Sequence, residues 1–433
     1  DLVNWQHLPI ALYPDEHGTI FSGSAVVDWH NTAGLGREAL VAIFTHHSES
    51  AWQSQSLAYS TDKGRTWTKY AGNPVLEPPN NIRNFRDPKV FWYGDAETGH
   101  WVMAVTGGNV ILFFSSHDLK TWEPTGGFGF GYGSTEGIWE TPDLFPLPVD
   151  GRQDTRWVLT VGVGNGGPVG GTGTQYFVGH FDGENFTSEN PKNIILWADF
   201  GADFYAAQSW SYEPDGRRFW IGWMNNWRYA DRIPTTTWRG AFTLPRELSL
   251  RNTPDGIRLV QTPIPALRTL RGDHQSWQNQ TTSSHTQYPI SNTPFELLAE
   301  IPILPNMNAD RLGLRIHTDG DHQTTIGYTT KSHTLFIDRS QCGATEFSPA
   351  FSGVHLAKLE PENGVIRLHI FVDSASVEVF GNNGQVVITD QIFPCGENTY
   401  LEIFADGGAI ILSSFDMYIL HPANYWLPSV HDK

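Results

Sequence analysis

The chain has 433 residues, long enough for two domains. Its 46 Asp and Glu outnumber 28 Lys and Arg, so the formal charge is −18, which disfavours nucleic-acid phosphates and anionic membrane surfaces and leaves a neutral ligand unaffected. No apolar run is long enough to span a bilayer as a helix.

High aromatic content (17 Trp, 25 Phe, 14 Tyr) with 43 Gly and 27 Pro points to short strands and many turns, an all-β chain. A turn pattern recurs along it. Asp1-Leu2-Val3-Asn4-Trp5 opens the chain, Ser60-Thr61-Asp62-Lys63-Gly64-Arg65-Thr66-Trp67 is the fullest copy, and Ser116-His117-Asp118-Leu119-Lys120-Thr121-Trp122 is the third. Phe181-Asp182-Gly183-Glu184-Asn185-Phe186 is a weaker fourth. In each, Asp caps a tight turn through backbone N–H groups and the aromatic packs beneath it. Copies about 55–65 residues apart suit one four-stranded propeller blade per repeat. A further blade is expected from Phe204 to Leu250. The predicted fold is a five-bladed β-propeller over 1–264, its first blade incomplete because no strands precede the turn at 1–5. A polar linker over 265–294 and a β-sandwich over 295–433 follow. Arg367–Val372, Ser376–Phe380 and Gln385–Thr389 alternate as sandwich strands do.

Several local patterns are decoys. Gly162-Val163-Gly164-Asn165-Gly166-Gly167 matches a dinucleotide fingerprint, but a strand, Thr174–Val178, follows where a helix is required. Asp319-Gly320-Asp321 starts like a calcium loop and has Thr330 in place of the closing Glu. His46 and His47 are adjacent, which is not a metal-ligand spacing. No cofactor and no metal site is expected. Cys342 and Cys395 allow at most one disulfide, and whether they pair stays open. Asn185 and Asn279 head glycosylation sequons, which fits secretion.

Two carboxylates stand out. Asp87, in Asn84-Phe85-Arg86-Asp87-Pro88, and Glu140, in Trp139-Glu140-Thr141-Pro142-Asp143, each precede the first strand of a blade. Equivalent positions in adjacent blades converge on the propeller axis, where an acid pair suits glycoside hydrolysis.

With these residues in view, the sequence resembles glycoside hydrolase family 32, the invertases and exo-inulinases. The likeness rests on Phe21-Ser22-Gly23-Ser24, Arg86-Asp87-Pro88, Trp139-Glu140-Thr141-Pro142-Asp143, Asp203-Phe204-Tyr205-Ala206 and Gly222-Trp223-Met224-Asn225-Asn226-Trp227, and it extends over essentially the whole chain. It implies a retaining β-fructofuranosidase acting on terminal fructosyl residues of sucrose, inulin or levan. Glu140 takes the role of acid/base and Asp87 that of transition-state stabiliser. Arg86 orients both, and Phe21, Ser22, Asp203, Tyr205 and Trp223 line the fructose subsite. The implied partner is a neutral fructoside, the implied location extracellular, and the sandwich is a candidate dimer surface. Two departures stand against the pattern. Thr141 replaces the family's Cys, and no Asn-Asp-Pro, the motif carrying the nucleophilic Asp, occurs. The chain is therefore expected to be a fragment, inactive alone. Rival readings are a sialidase, an inverting arabinan-type hydrolase, a fructosyltransferase and a non-catalytic fructan-binding lectin.

Overall fold

The computed structural model describes residues 1–282, 286–290, 294–304, 307–396 and 399–426. Residues 283–285 and 291–293 of the expected linker, and 305–306, 397–398 and 427–433 of the expected sandwich, lie outside them.

Residues 19–263 form four antiparallel sheets in chain order. The first runs Thr19–Asp28, Ala39–His47, Gln53–Ser60 and Thr68–Lys69; the second Phe85–Tyr93, His100–Gly107, Ile111–Ser116 and Glu123–Phe128. The third is built on Trp139–Pro148, Thr155–Val163 and Gly173–Phe181, the fourth on Tyr205–Ser209, Arg218–Met224, Arg246–Thr253 and Gly256–Pro263. The leading strands of successive sheets touch one another, so each sheet begins at a common axis.

Apolar side chains fill the space between successive sheets. Val41, Ile43 and Leu57 pack with Phe85, Trp101 and Phe114 between the first and second. Phe113, Phe181 and Trp157 do the same between the second and third, and Phe145, Tyr176 and Trp220 between the third and fourth. Each such buried side chain stabilises by about 1.5–3 kcal/mol, which is why the sheets stack face to face.

The repeated turns are capped as their composition demands. Asp62 accepts from the amides of Arg65 and Thr66, Asp118 from Lys120 and Thr121, Asp182 from Glu184 and Asn185, and Asp1 from Val3 and Asn4. The Asp1 copy leads into the short strand Asn4–Gln6, which pairs in parallel with Asn424–Trp426 and stands apart from the four sheets.

Behind the propeller lie two six-stranded sheets with a shared core that includes Leu297, Ile326, Tyr328, Ile370, Val379 and Phe415. Here the structure departs from the expected linker. Arg271–Thr282 is a sandwich strand paired with Ile410–Leu420, and Thr286–Ile290 pairs with Thr399–Asp406. Both are edge strands, so one side of each faces water and takes polar residues without losing the ladder. Of the fingerprint-like glycines, Gly162 lies within the strand Thr155–Val163, and Gly164, Gly166 and Gly167 lie in the hairpin connection to Gly173–Phe181. Cys342 and Cys395 are both free.

Candidate active site

The four leading strands share one irregularity. Each carries a bulge near its start: between Phe21 and Gly23, Arg86 and Lys89, Glu140 and Asp143, and Tyr205 and Gln208. A bulge re-aims side chains that regular alternation would send to the sheet faces. Three non-glycine residues on these bulges have left-handed backbones: Asp87 (φ 63°), Thr141 (φ 47°) and Ala206 (φ 52°). Such conformations persist only where surrounding structure holds them. The two acids therefore lie within their strands rather than ahead of them. They also differ in phase by one residue: Asp87 matches Thr141, and Glu140 matches Arg86.

The bulges surround a cavity of about 190 Å³ lined by Ser22, Gly23, Asp87, Thr141, Ala206 and Gln208. Glu140 stands beside it, held at both oxygens. Arg86 donates to Oε1 through Nη2 at 2.7 Å and Nε at 3.2 Å, and the Tyr205 hydroxyl donates to Oε2. Gly162 makes room for that tyrosine, since a Cβ there would stand 2.8 Å from its ring. Arg86 Nε also lies 3.9 Å from Asp87 Oδ2, so one guanidinium serves both acids. The amide of Thr141 donates to Asp87 Oδ2 at 2.9 Å, whereas the buried Thr141 hydroxyl has no partner among the described residues.

Burial pushes the Asp87 carboxyl up to about 6, and the charge of Glu140 adds to this; the Thr141 amide and Arg86 oppose it. Burial, with the negative charge of Glu140, also raises the Tyr205 phenol well above its ordinary range, which keeps it a donor. Below the acids, Lys89 and Asp143 form a buried pair at 3.1 Å. Lys89 also donates to the Ser209 carbonyl and Asp143 accepts from the Ser209 amide, which ties three sheets together at the axis.

Phe21 is 40 % exposed at the rim and stacks on His47 with ring centroids 4.4 Å apart. Trp223 pairs in register with Tyr205 and packs on the exposed Trp227. Asp203 is a correction. It is wholly buried at the seam with the sandwich, where Arg339 Nη1 and the Gln391 amide bond Oδ2 and the Tyr229 hydroxyl bonds Oδ1. Its motif stands only two residues before Tyr205, but the intervening bend turns its side chain backward. Residues that motif reading missed include Gln208, which donates to the Thr141 and Pro142 carbonyls. It occupies the fourth bulge, a feature set by strand pairing that no motif along the chain marks. Asn185 and Asn279 are both exposed. Among the described residues no group of three or more His, Cys, Asp or Glu side chains could hold a metal ion.

A propeller funnel holding two carboxylates and one guanidinium, with a sandwich packed behind, is the architecture of a glycosidase-type scaffold, in which an acid pair suits glycoside hydrolysis. Comparison with known proteins narrows it. The glycosyl hydrolases family 32 N-terminal domain matches residues 1–263 and the family 32 C-terminal domain matches 266–419, so the chain belongs to glycosyl hydrolase family 32. It is 50 % identical over 430 residues to a levanase of Bacillus subtilis, covering 97 % of this chain and 63 % of that protein. It is 37 % identical to an extracellular exo-inulinase of Aspergillus ficuum, covering 94 % and 83 %. The crystal structure of an exo-inulinase from Aspergillus awamori superposes with a TM-score of 0.87 at 34 % identity, covering 94 % of this chain and 84 % of that one. The chain thus spans less than two thirds of the levanase, and 47 % of a second one from Bacillus sp..

Proposed function

We propose that the protein carrying this chain is a secreted, retaining exo-β-fructosidase that removes terminal fructofuranosyl units from a fructan. The 50 % identical levanase favours levan over inulin and sucrose. The observation that carries the reading is the clamp on Glu140, whose two oxygens are fixed by Arg86 and Tyr205 beside the buried Asp87. Glu140 protonates the glycosidic oxygen as the bond breaks, then takes a proton from the attacking water. Asp87, once ionised, stabilises the positive charge that develops on the fructosyl ring. The nucleophilic Asp comes from a segment outside these 433 residues. Support for this is the absence of any Asn-Asp-Pro.

The test is a product profile of the full-length protein on levan, inulin and sucrose, with the anomer of the first-formed fructose read by NMR. Free fructose in the retained β-configuration is expected, fastest from levan. Inverted product would remove the retaining mechanism, longer fructosides would indicate transfer, and binding without product would indicate a lectin.

A further inference from the structure

We propose that Thr45 and Gln55, neither of which lines the funnel cavity, are the positioning residues for Arg86 and Asp87. The inference rests on the roles assigned above to Asp87 and Glu140. The bulge between Arg86 and Lys89 takes Asp87 out of the strand ladder, leaving a buried amide without its sheet partner. Its left-handed backbone, φ 63°, disfavours any residue with a Cβ. Within the second sheet the Thr106 hydroxyl donates to the Arg86 carbonyl at 2.8 Å, and the Asp87 amide is held from outside that sheet.

The first sheet supplies the hold. Thr45 Oγ1 accepts from the Asp87 amide at 3.0 Å. The same hydroxyl donates to Gln55 Oε1 at 2.7 Å, and Gln55 Nε2 donates to the Phe85 carbonyl at 2.9 Å. The circuit leaves the second sheet at residue 85 and returns at 87, closing around Arg86. Thr45, Gln55 and Phe85 are each fully buried, so no water competes for these bonds. Thr45 and Gln55 are cross-strand partners, and the Gln55 backbone exchanges bonds with Val75 and Leu76. The circuit is therefore anchored at both ends. Every donor has one acceptor, which fixes the direction of each bond and the tilt of the Arg86–Asp87 peptide.

A neighbouring contact extends the hold to the guanidinium: Arg86 Nη1 donates to Gln53 Oε1 at 3.3 Å and to Asn84 Oδ1 at 3.0 Å. The first sheet thus orients both the residue that grips Glu140 and the residue that faces the developing charge. Because the reaction depends on carboxylate placement to within a fraction of an ångström, loss of the circuit should act on turnover more than on ground-state binding.

The experiment compares Thr45→Val, Thr45→Ser and Gln55→Met with Asp87→Asn and Glu140→Gln, all in the full-length protein. Val keeps the shape of Thr and removes the acceptor. Thr45→Val is expected to lower kcat roughly ten- to a hundredfold with KM within about twofold, and Thr45→Ser to restore most of the rate. Gln55→Met, whose folding does not depend on the Thr45 variants, should lower kcat in the same way. A Thr45→Val enzyme within about twofold of parental kcat, or no rescue by Ser, would overturn the proposal. If Asp87→Asn and Glu140→Gln cripple the enzyme while Thr45→Val does not, the circuit alone is refuted. If neither acid variant matters, the functional reading fails, and a crystal structure of Thr45→Val decides the circuit: an Asp87 backbone still at φ near 63° refutes it.

Discussion

Two regions of the molecule are built from the same materials, buried carboxylates against buried arginines, and are put to opposite use. At the seam between propeller and sandwich, Arg339 lies on Asp203 at 2.6 Å with Tyr229 beside both. Arg246 lies on Asp199 at 3.0 Å and Glu378 at 2.7 Å, and Thr389 bonds Asp199 through both its amide and its hydroxyl. Each seam carboxylate has several donors, and the side chains of these ion pairs are nearly inaccessible to water. In the funnel, Asp87 lines an open cavity, the Glu140 side chain beside it is 20 % exposed, and the backbones of Asp87 and Thr141 are left-handed. Buried ion pairs shut away from water suit a fixed docking of two domains. An acid at the edge of an open cavity can be reached by a substrate and exchange a proton with it. Access from solvent, rather than residue type, separates architecture from chemistry here.

The sharpest way to break the comparison is Glu140→Gln in the full-length protein. Turnover should fall by roughly 10²–10⁴-fold, the scale of general acid catalysis, while the melting temperature stays near parental. Near-parental hydrolysis of levan would remove Glu140 from the chemistry.

Asp203→Ala tests the other side. It leaves Arg339 buried without its closest carboxylate, and breaking such a pair costs about 3–5 kcal/mol. Denaturant unfolding should show that loss, with kcat per folded molecule little changed. A variant that melts normally but has lost activity would return Asp203 to the funnel.

Asp87→Asn should reveal the energetic cost of the site itself. The Asp87 carboxyl is held up to about 6 in the fold, against 3.8 for an ordinary Asp. The folded state therefore holds the proton more tightly than the unfolded state, and stability contributed by that proton is present below about pH 4 and lost as pH rises through 6. Removing the charge should stabilise the protein at pH 7 by up to ~3 kcal/mol, with the gain gone at pH 4 and activity severely reduced. Unfolding curves at the two pH values check this; an equal effect at both would mean that Asp87 is not the titrating group.

Tyr205→Phe is expected to have the smallest effect, about tenfold in kcat, near the lower end for a hydrogen bond to a charged group. An unchanged kcat and an unchanged pH profile would show that Arg86 alone orients Glu140.

The sequence by itself determined the all-β architecture, the aspartate-capped turns and the two acids. These are local matters: turn chemistry, alternation and residue type act over a few neighbours. Tertiary structure alone decided where the acids point and what holds them. A bulge is one extra residue whose effect depends on the partner strand, so the one-residue offset between Asp87 and Glu140 was invisible in the chain. Asp203 stands two residues from Tyr205, yet one side chain faces the sandwich and the other the funnel. The polar stretch after residue 270 read as linker because an edge strand needs apolar residues on one side only. Thr45 and Gln55 carry no motif at all, because their part in the site comes from hydrogen bonds between sheets, which no spacing along the chain encodes.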